Sequence, residues 1–130
     1  MRLAALALAC LLLPSAALAE TRTYCGKLMS GGHMVPSETV IIHDAKGGLT
    51  GTYTFVDQGQ VFNGTLAQAQ AKGHERWRFV WTDEYGSGQL DVKFNADESA
   101  FTGKWGDGPD KPHLPWNGKA GSDCLTTPST

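Results

Sequence analysis

Leu49-Thr50-Gly51-Thr52-Tyr53-Thr54-Phe55 alternates threonines with residues that are large and apolar or have no side chain. Successive side chains of a β-strand point to opposite faces, so Leu49, Gly51, Tyr53 and Phe55 share one face and the threonines the other. The first five residues of this stretch spell a word that recurs along the chain. Its other copies are Tyr24-Cys25-Gly26-Lys27-Leu28, Phe62-Asn63-Gly64-Thr65-Leu66, Phe101-Thr102-Gly103-Lys104-Trp105 and Trp116-Asn117-Gly118-Lys119-Ala120. Each reads as a strand with its glycine between bulky inward neighbours and polar residues outside. In the Phe62 copy, Asn63-Gly64 could instead form a tight hairpin turn; the match to the repeated word favours strand.

The same period-two alternation, broken by turn residues, predicts the remaining elements. Strands are expected over Arg22 to Leu28, Thr39 to His43, Leu49 to Val56, Val61 to Leu66, Arg76 to Trp81, Gly88 to Phe94, Ala100 to Trp105 and Trp116 to Ala120. Gly31-Gly32 with Pro36, the Ala/Gln-rich stretch Ala67 to Glu75 and the proline-rich stretch Gly106 to Pro115 are expected as loops. No substantial helix is expected. Directly opposed residues of an antiparallel pair share a face. Pairing Phe79 with Leu90 and Phe94 with Phe101 then places Asp91 between Arg78 and Lys104 on the outer face, and Gly103 beside Val92. A one-residue slip would turn the aromatics outward, so charge and apolar pattern agree on one register. Eight such strands with short connections predict an all-β fold: a single antiparallel meander, closed or nearly closed into a barrel, because closure removes exposed edges. A sheet of seven or eight strands folded over on itself is the alternative.

Residues 1–19 read as a signal peptide. Arg2 precedes an apolar run, Leu3 to Leu13, that is too short to span a bilayer, and Ala17-Leu18-Ala19 is a small-x-small cleavage site. A lipoprotein site at Cys10 fits poorly, since too little apolar chain precedes it. The mature chain is expected to be one domain over residues 20–130, exported to the bacterial periplasm or secreted. Of three cysteines it would keep Cys25 and Cys124, expected to form a disulfide in an oxidising compartment; two free thiols are the alternative. If the meander closes, the last strand lies beside the first and these cysteines become neighbours. The net charge of −2 leaves no electrostatic footprint for nucleic acid or anionic membrane. No later stretch reaches transmembrane length, so neither a nucleic-acid partner nor a membrane span is expected.

Chemistry-bearing motifs are sparse. His33, His43, His74 and His113 show no metal-ligand spacing, and Asp107, Asp110 and Asp123 form no recognised calcium loop, so no metal or cofactor is expected. Gly86-Ser87-Gly88 lacks the spacing of a nucleophile elbow, and no catalytic residue is assigned. The aromatic set Tyr53, Trp77, Phe79, Trp81, Tyr85, Trp105 and Trp116 has two readings. Trp77 and Phe79 lie mid-strand and read as core, because a small barrel needs large rings to fill it. Trp81, Tyr85, Trp105 and Trp116 sit at strand ends or in loops, where binding residues gather. With Tyr53 they are the candidate ligand-binding residues.

Three segments resemble the avidin and streptavidin family. Gly48-Leu49-Thr50-Gly51-Thr52-Tyr53 is similar to its glycine-rich second hairpin, Trp77 to Tyr85 to its central strand, and Phe101 to Trp105 to its later aromatic-x-Gly-x-aromatic strands. The resemblance implies an eight-stranded calycin-type barrel with a ligand site at one mouth, walled by Tyr53, Trp77 and Trp81. It also implies a biotin-like ligand, but the polar groups for that role are not matched. Cys25 to Met29 lacks the family's ureido-binding residues, and Leu90 and Val92 stand where it places Ser or Thr. Two functions from different classes therefore follow. One is a non-enzymatic exported binding module with an aromatic pocket or rim. The other is a periplasmic protein-protein module, such as a protease or lysozyme inhibitor, with Gly31 to Met34 and Gly106 to Pro115 as contact loops.

Overall fold

Alternation along each strand builds the molecule. The computed structural model describes residues 19–125; the signal-peptide assignment of residues 1–19 falls, but for Ala19, outside them. Eight strands follow in order: β1 (Glu20–Ser30), β2 (His33–His43), β3 (Leu49–Asp57), β4 (Gln60–Gly73), β5 (Arg76–Asp83), β6 (Gly86–Phe94), β7 (Ala100–Trp105) and β8 (Leu114–Ala120). Each pairs antiparallel with the next, and β8 returns to β1, closing the barrel in meander order. Among the described residues no helix is long and apolar enough to cross a membrane.

The predicted register holds. Phe79 opposes Leu90 and Arg78 opposes Asp91, while Asp91 opposes Lys104, Val92 opposes Gly103 and Phe94 opposes Phe101. The Arg78 guanidinium donates two hydrogen bonds to Asp91, at 2.6 and 2.9 Å. Pairing charges outside and rings inside thus fixes β5–β7 by two independent criteria. Asn63-Gly64 is strand, with Asn63 opposite Thr54 and Gly64 opposite Tyr53.

Three boundaries differ from the expectation. Ala67 to Glu75 is not a loop: β4 continues to Gly73. Two register shifts against β5, one between Ala67 and Gln70 and one between Ala71 and Gly73, each insert an extra residue on β4. Gln68 adopts φ 52° at the first, so the chain bulges without leaving the sheet, and Ala69 packs against the core. Pro36 lies within β2, opposite Lys27. The β2–β3 ladder reaches only to Ser37, so the missing proline N–H falls beyond that pairing. Leu114 and Pro115 likewise belong to β8, opposite Trp105 and Lys104.

Closure depends on small residues at the seam. Gly26 of β1 opposes Gly118 of β8, and Gly118 opposes Phe101 of β7. A β-carbon on Gly26 would collide with the Asn117 carbonyl, and one on Gly118 would sit 2.7 Å from the Phe101 ring and 2.9 Å from Tyr24 Cβ. One row therefore runs Phe101-Gly118-Gly26, and the next Gly103-Trp116-Leu28; bulk and space alternate, which fits side chains into a small cylinder. Beside the seam, Cys25 and Cys124 are disulfide-bonded with Cα atoms 5.0 Å apart.

The barrel's interior is filled at one end. Tyr24, Phe94 and Phe101 are almost completely buried there. Tyr24 meets Phe101 edge-on at 5.2 Å, and its hydroxyl donates to the Glu98 carbonyl at 2.8 Å. Phe79, Leu66, Leu90 and Ile41 are also fully buried, and Trp77 packs against this core while remaining partly exposed.

Two outcomes test this account. Gly26→Ala, whose methyl meets backbone rather than a movable side chain, should lower the unfolding free energy by about 1–3 kcal/mol, read as a lower denaturant midpoint with an unchanged m-value, whereas Thr52→Ala on the outer face should change little. Replacing both Cys25 and Cys124 with Ser opens a loop of sequence separation 99 and should cost up to about 4.7 kcal/mol, read by the same titration.

Candidate functional site

In a meander, alternate connections fall at the same end. The turns after β1, β3, β5 and β7 therefore surround one mouth, opposite the Tyr24 plug. A cavity of about 330 Å³ opens there. Inward positions supply its walls: Leu28 and Ser30 from β1, Tyr53 and Phe55 from β3, Trp81 from β5, Trp105 from β7 and Trp116 from β8, with Tyr85 from the β5–β6 turn. All five candidate ligand-binding residues, Tyr53, Trp81, Tyr85, Trp105 and Trp116, line this single cavity. Phe79 and Trp77 do not line it.

The rings are held in place by one another and by their polar tips. Trp81 meets Trp105 edge-on at 5.4 Å, and Tyr53 meets Trp116 edge-on at 4.7 Å. Buried indole and phenol groups normally find partners, and these do. Trp81 Nε1 donates to the Gly106 carbonyl at 3.0 Å, Trp105 Nε1 to the Met29 carbonyl at 3.1 Å, and Trp116 Nε1 to Thr39 Oγ1 at 3.0 Å. Gly64 lies under the Tyr53 ring, where any side chain would displace it. Tyr85 is 63% exposed and leans on Phe62 at 5.2 Å.

Three carboxylates complete the lining: Asp57 and Asp83, which the sequence reading did not single out, and Asp107, which it considered only as part of a calcium loop. Asp57 and Asp83 end β3 and β5 on the inward side of the alternation, and Asp107 follows β7 at the same parity. A signal was present in the chain, since each falls at a connection on the same side of a meander. Asp83 accepts the Tyr53 hydroxyl at 2.6 Å and the Tyr85 backbone N–H at 2.9 Å. Asp57 accepts from Ser30 Oγ at 3.2 Å and lies 2.9 Å from His33 Nε2. The trio Ser30, Asp57 and His33 is not a nucleophilic triad, because the carboxylate stands between hydroxyl and imidazole and leaves the hydroxyl without a base. Among the described residues no group of three or more His, Cys, Asp or Glu side chains could hold a metal ion.

The fold and site together define an eight-stranded barrel plugged at one end and open at the other into an aromatic cavity with an acidic rim. No protein-family model, curated protein or solved structure matches this chain.

Burial, with the Asp83 carboxylate beside it, pushes the Tyr53 phenol far above its ordinary value of 10.0. Burial and the nearby Glu98 charge raise Tyr24 as well. Both phenols stay neutral in the fold, whereas an unfolded chain ionises them near pH 10. Their contribution to stability is thus fully present below about pH 10 and falls as pH rises from there toward the folded values. Alkaline titration should show the phenolate absorbance of Tyr24 and Tyr53 appearing together with loss of near-ultraviolet circular dichroism. Tyr53→Phe, which removes a donor from Asp83, should cost about 1–3 kcal/mol at neutral pH, measured by thermal melting.

Proposed function

We propose that this chain is an exported, non-enzymatic binding module that takes a small molecule into the aromatic mouth of its barrel. The observation that carries this reading is the convergence of Tyr53, Trp81, Tyr85, Trp105 and Trp116 on one cavity of about 330 Å³, a size and character suited to a small ligand. A barrel needing only a filled core would plug both ends. The Cys25–Cys124 bridge supports export, since such bonds persist in oxidising compartments.

The closed eight-stranded meander is compatible with an avidin-like barrel, and that likeness supports a ligand at this mouth. A biotin-like ligand is supported less well: Leu90 and Val92 are buried core residues and offer no hydrogen bond. A protein partner is the second reading. Met34, Val61 and Tyr85 are the exposed large hydrophobic residues among those described, and all three stand at or beside the connections that ring the mouth. The expected contact loops, Gly31 to Met34 and Gly106 to Pro115, border the same end.

A thermal-shift screen with metabolites, sugars, amines and biotin, run beside a pull-down from periplasmic extract, decides between them. On the pocket reading, at least one compound raises the melting temperature, and the shift is lost in Trp81→Ala and in Tyr85→Ala. Tyr85 is exposed, so that second variant leaves the core intact. A silent screen together with a captured hydrolase whose activity the protein blocks would reverse the ranking.

A further inference from the structure

The hydrogen-bond inventory of the cavity is one-sided. Its three indole N–H groups, from Trp81, Trp105 and Trp116, all donate to other protein atoms. The Tyr53 hydroxyl is taken by Asp83 and the Ser30 hydroxyl is directed at Asp57. Of the described lining side chains, only the exposed Tyr85 phenol keeps a donor free. Ser37, buried and without a partner, does not line the cavity.

Acceptors are abundant by contrast. An ionised carboxylate has about four lone-pair sites. Asp83 has two protein donors on it and Asp57 has Ser30 and His33, so both retain capacity. Asp107 stands exposed at the rim. Among the described residues no Lys or Arg lines the cavity. Lys72, Arg76, Arg78, Lys93 and Lys104 border a separate groove on the outer wall, and Lys111, in the β7–β8 connection, does not line the cavity. With their N–H groups engaged, the indoles offer a guest carbon and π-electron surface, which attracts positive charge.

We infer that the ligand of this mouth is an organic cation, a protonated amine or quaternary ammonium group borne on an apolar body. This inference rests on the pocket reading above. The apolar body would pack among the rings, and the charged head would lie among the three aspartates, donating where they accept. A carboxylate or phosphate ligand would meet like charge and almost no free donor. A neutral ligand would gain the apolar contact and at most a neutral hydrogen bond to a carboxylate, without the charge attraction.

Three probes that share one body and differ in the head group test this: phenethylammonium, 2-phenylethanol and 3-phenylpropanoate. Each is titrated calorimetrically into the disulfide-bonded protein at low ionic strength and near-neutral pH. The ammonium probe is expected to bind at least about ten-fold more tightly than the alcohol, and the carboxylate more weakly than both. Asp107→Asn, at an exposed position, and Asp83→Asn, which keeps an acceptor for Tyr53, should each weaken the ammonium probe about three-fold or more and leave the alcohol unchanged. If alcohol or carboxylate binds as well as the ammonium, the cation inference falls and the pocket reading stands. If none of the three binds, the cation inference falls, and the pocket reading falls with it only if the wider thermal-shift screen is also silent. Asn variants that bind the ammonium probe as the parent does would overturn the part given to the carboxylates.

Discussion

Two backbones must come close enough at the seam for the first and last strands to pair, and Gly26 and Gly118 are what permit it. Opposed across β1 and β8, they leave room for the Asn117 carbonyl on one side and the Phe101 ring on the other. Without that approach, β1 and β8 would be open edges, each a row of unpaired backbone donors and acceptors. The mouth depends on the same event. Leu28 and Trp116 face one another across this seam and both line the cavity, so the cavity wall is complete only once the ring has closed.

The two ends then diverge for reasons of side-chain size and polarity. At the plugged end, Tyr24, Phe94 and Phe101 meet in the centre. At the open end the rings are as large, but hydrogen bonds to strand or loop backbone and to Thr39 tie the indole tips to the barrel wall. Rings fixed at tip and edge cannot collapse into the space between them. Aspartates at the strand ends reinforce this, since charged groups resist being drawn into an apolar interior unless paired. The cavity persists because the polar groups of its walls are already satisfied elsewhere.

Much of this was legible in the chain. The alternation Trp77-x-Phe79-x-Trp81, read with Leu90, Val92 and Phe94, fixes which residues face inward, and Arg78, Asp91 and Lys104 confirm it from the opposite face. The aromatic walls were legible because they sit at strand ends. Two things were not. Ala67 to Gly73 has the composition of a loop, and its two bulges break the pairing rhythm that betrays a strand; only the neighbouring β5 backbone, holding it in the sheet, makes it one. Asp57, Asp83 and Asp107 each look like ordinary turn residues. Their shared position at the mouth emerges only when the parity of every second hairpin is combined with the inward phase of each strand, a relation between positions some 25 residues apart.

The described chain enters the barrel at Glu20, opposite His43, and leaves it beyond Ala120, opposite Tyr24, where the cystine fastens the exit to β1. Both ends therefore emerge at the plugged pole. Anything attached there, whether a bead, a dye or a second domain, hangs behind the molecule and leaves its opening unobstructed. The barrel is oriented like a cup on a stem, and a tether at Glu20 or just beyond Ala120 presents the bowl to solution.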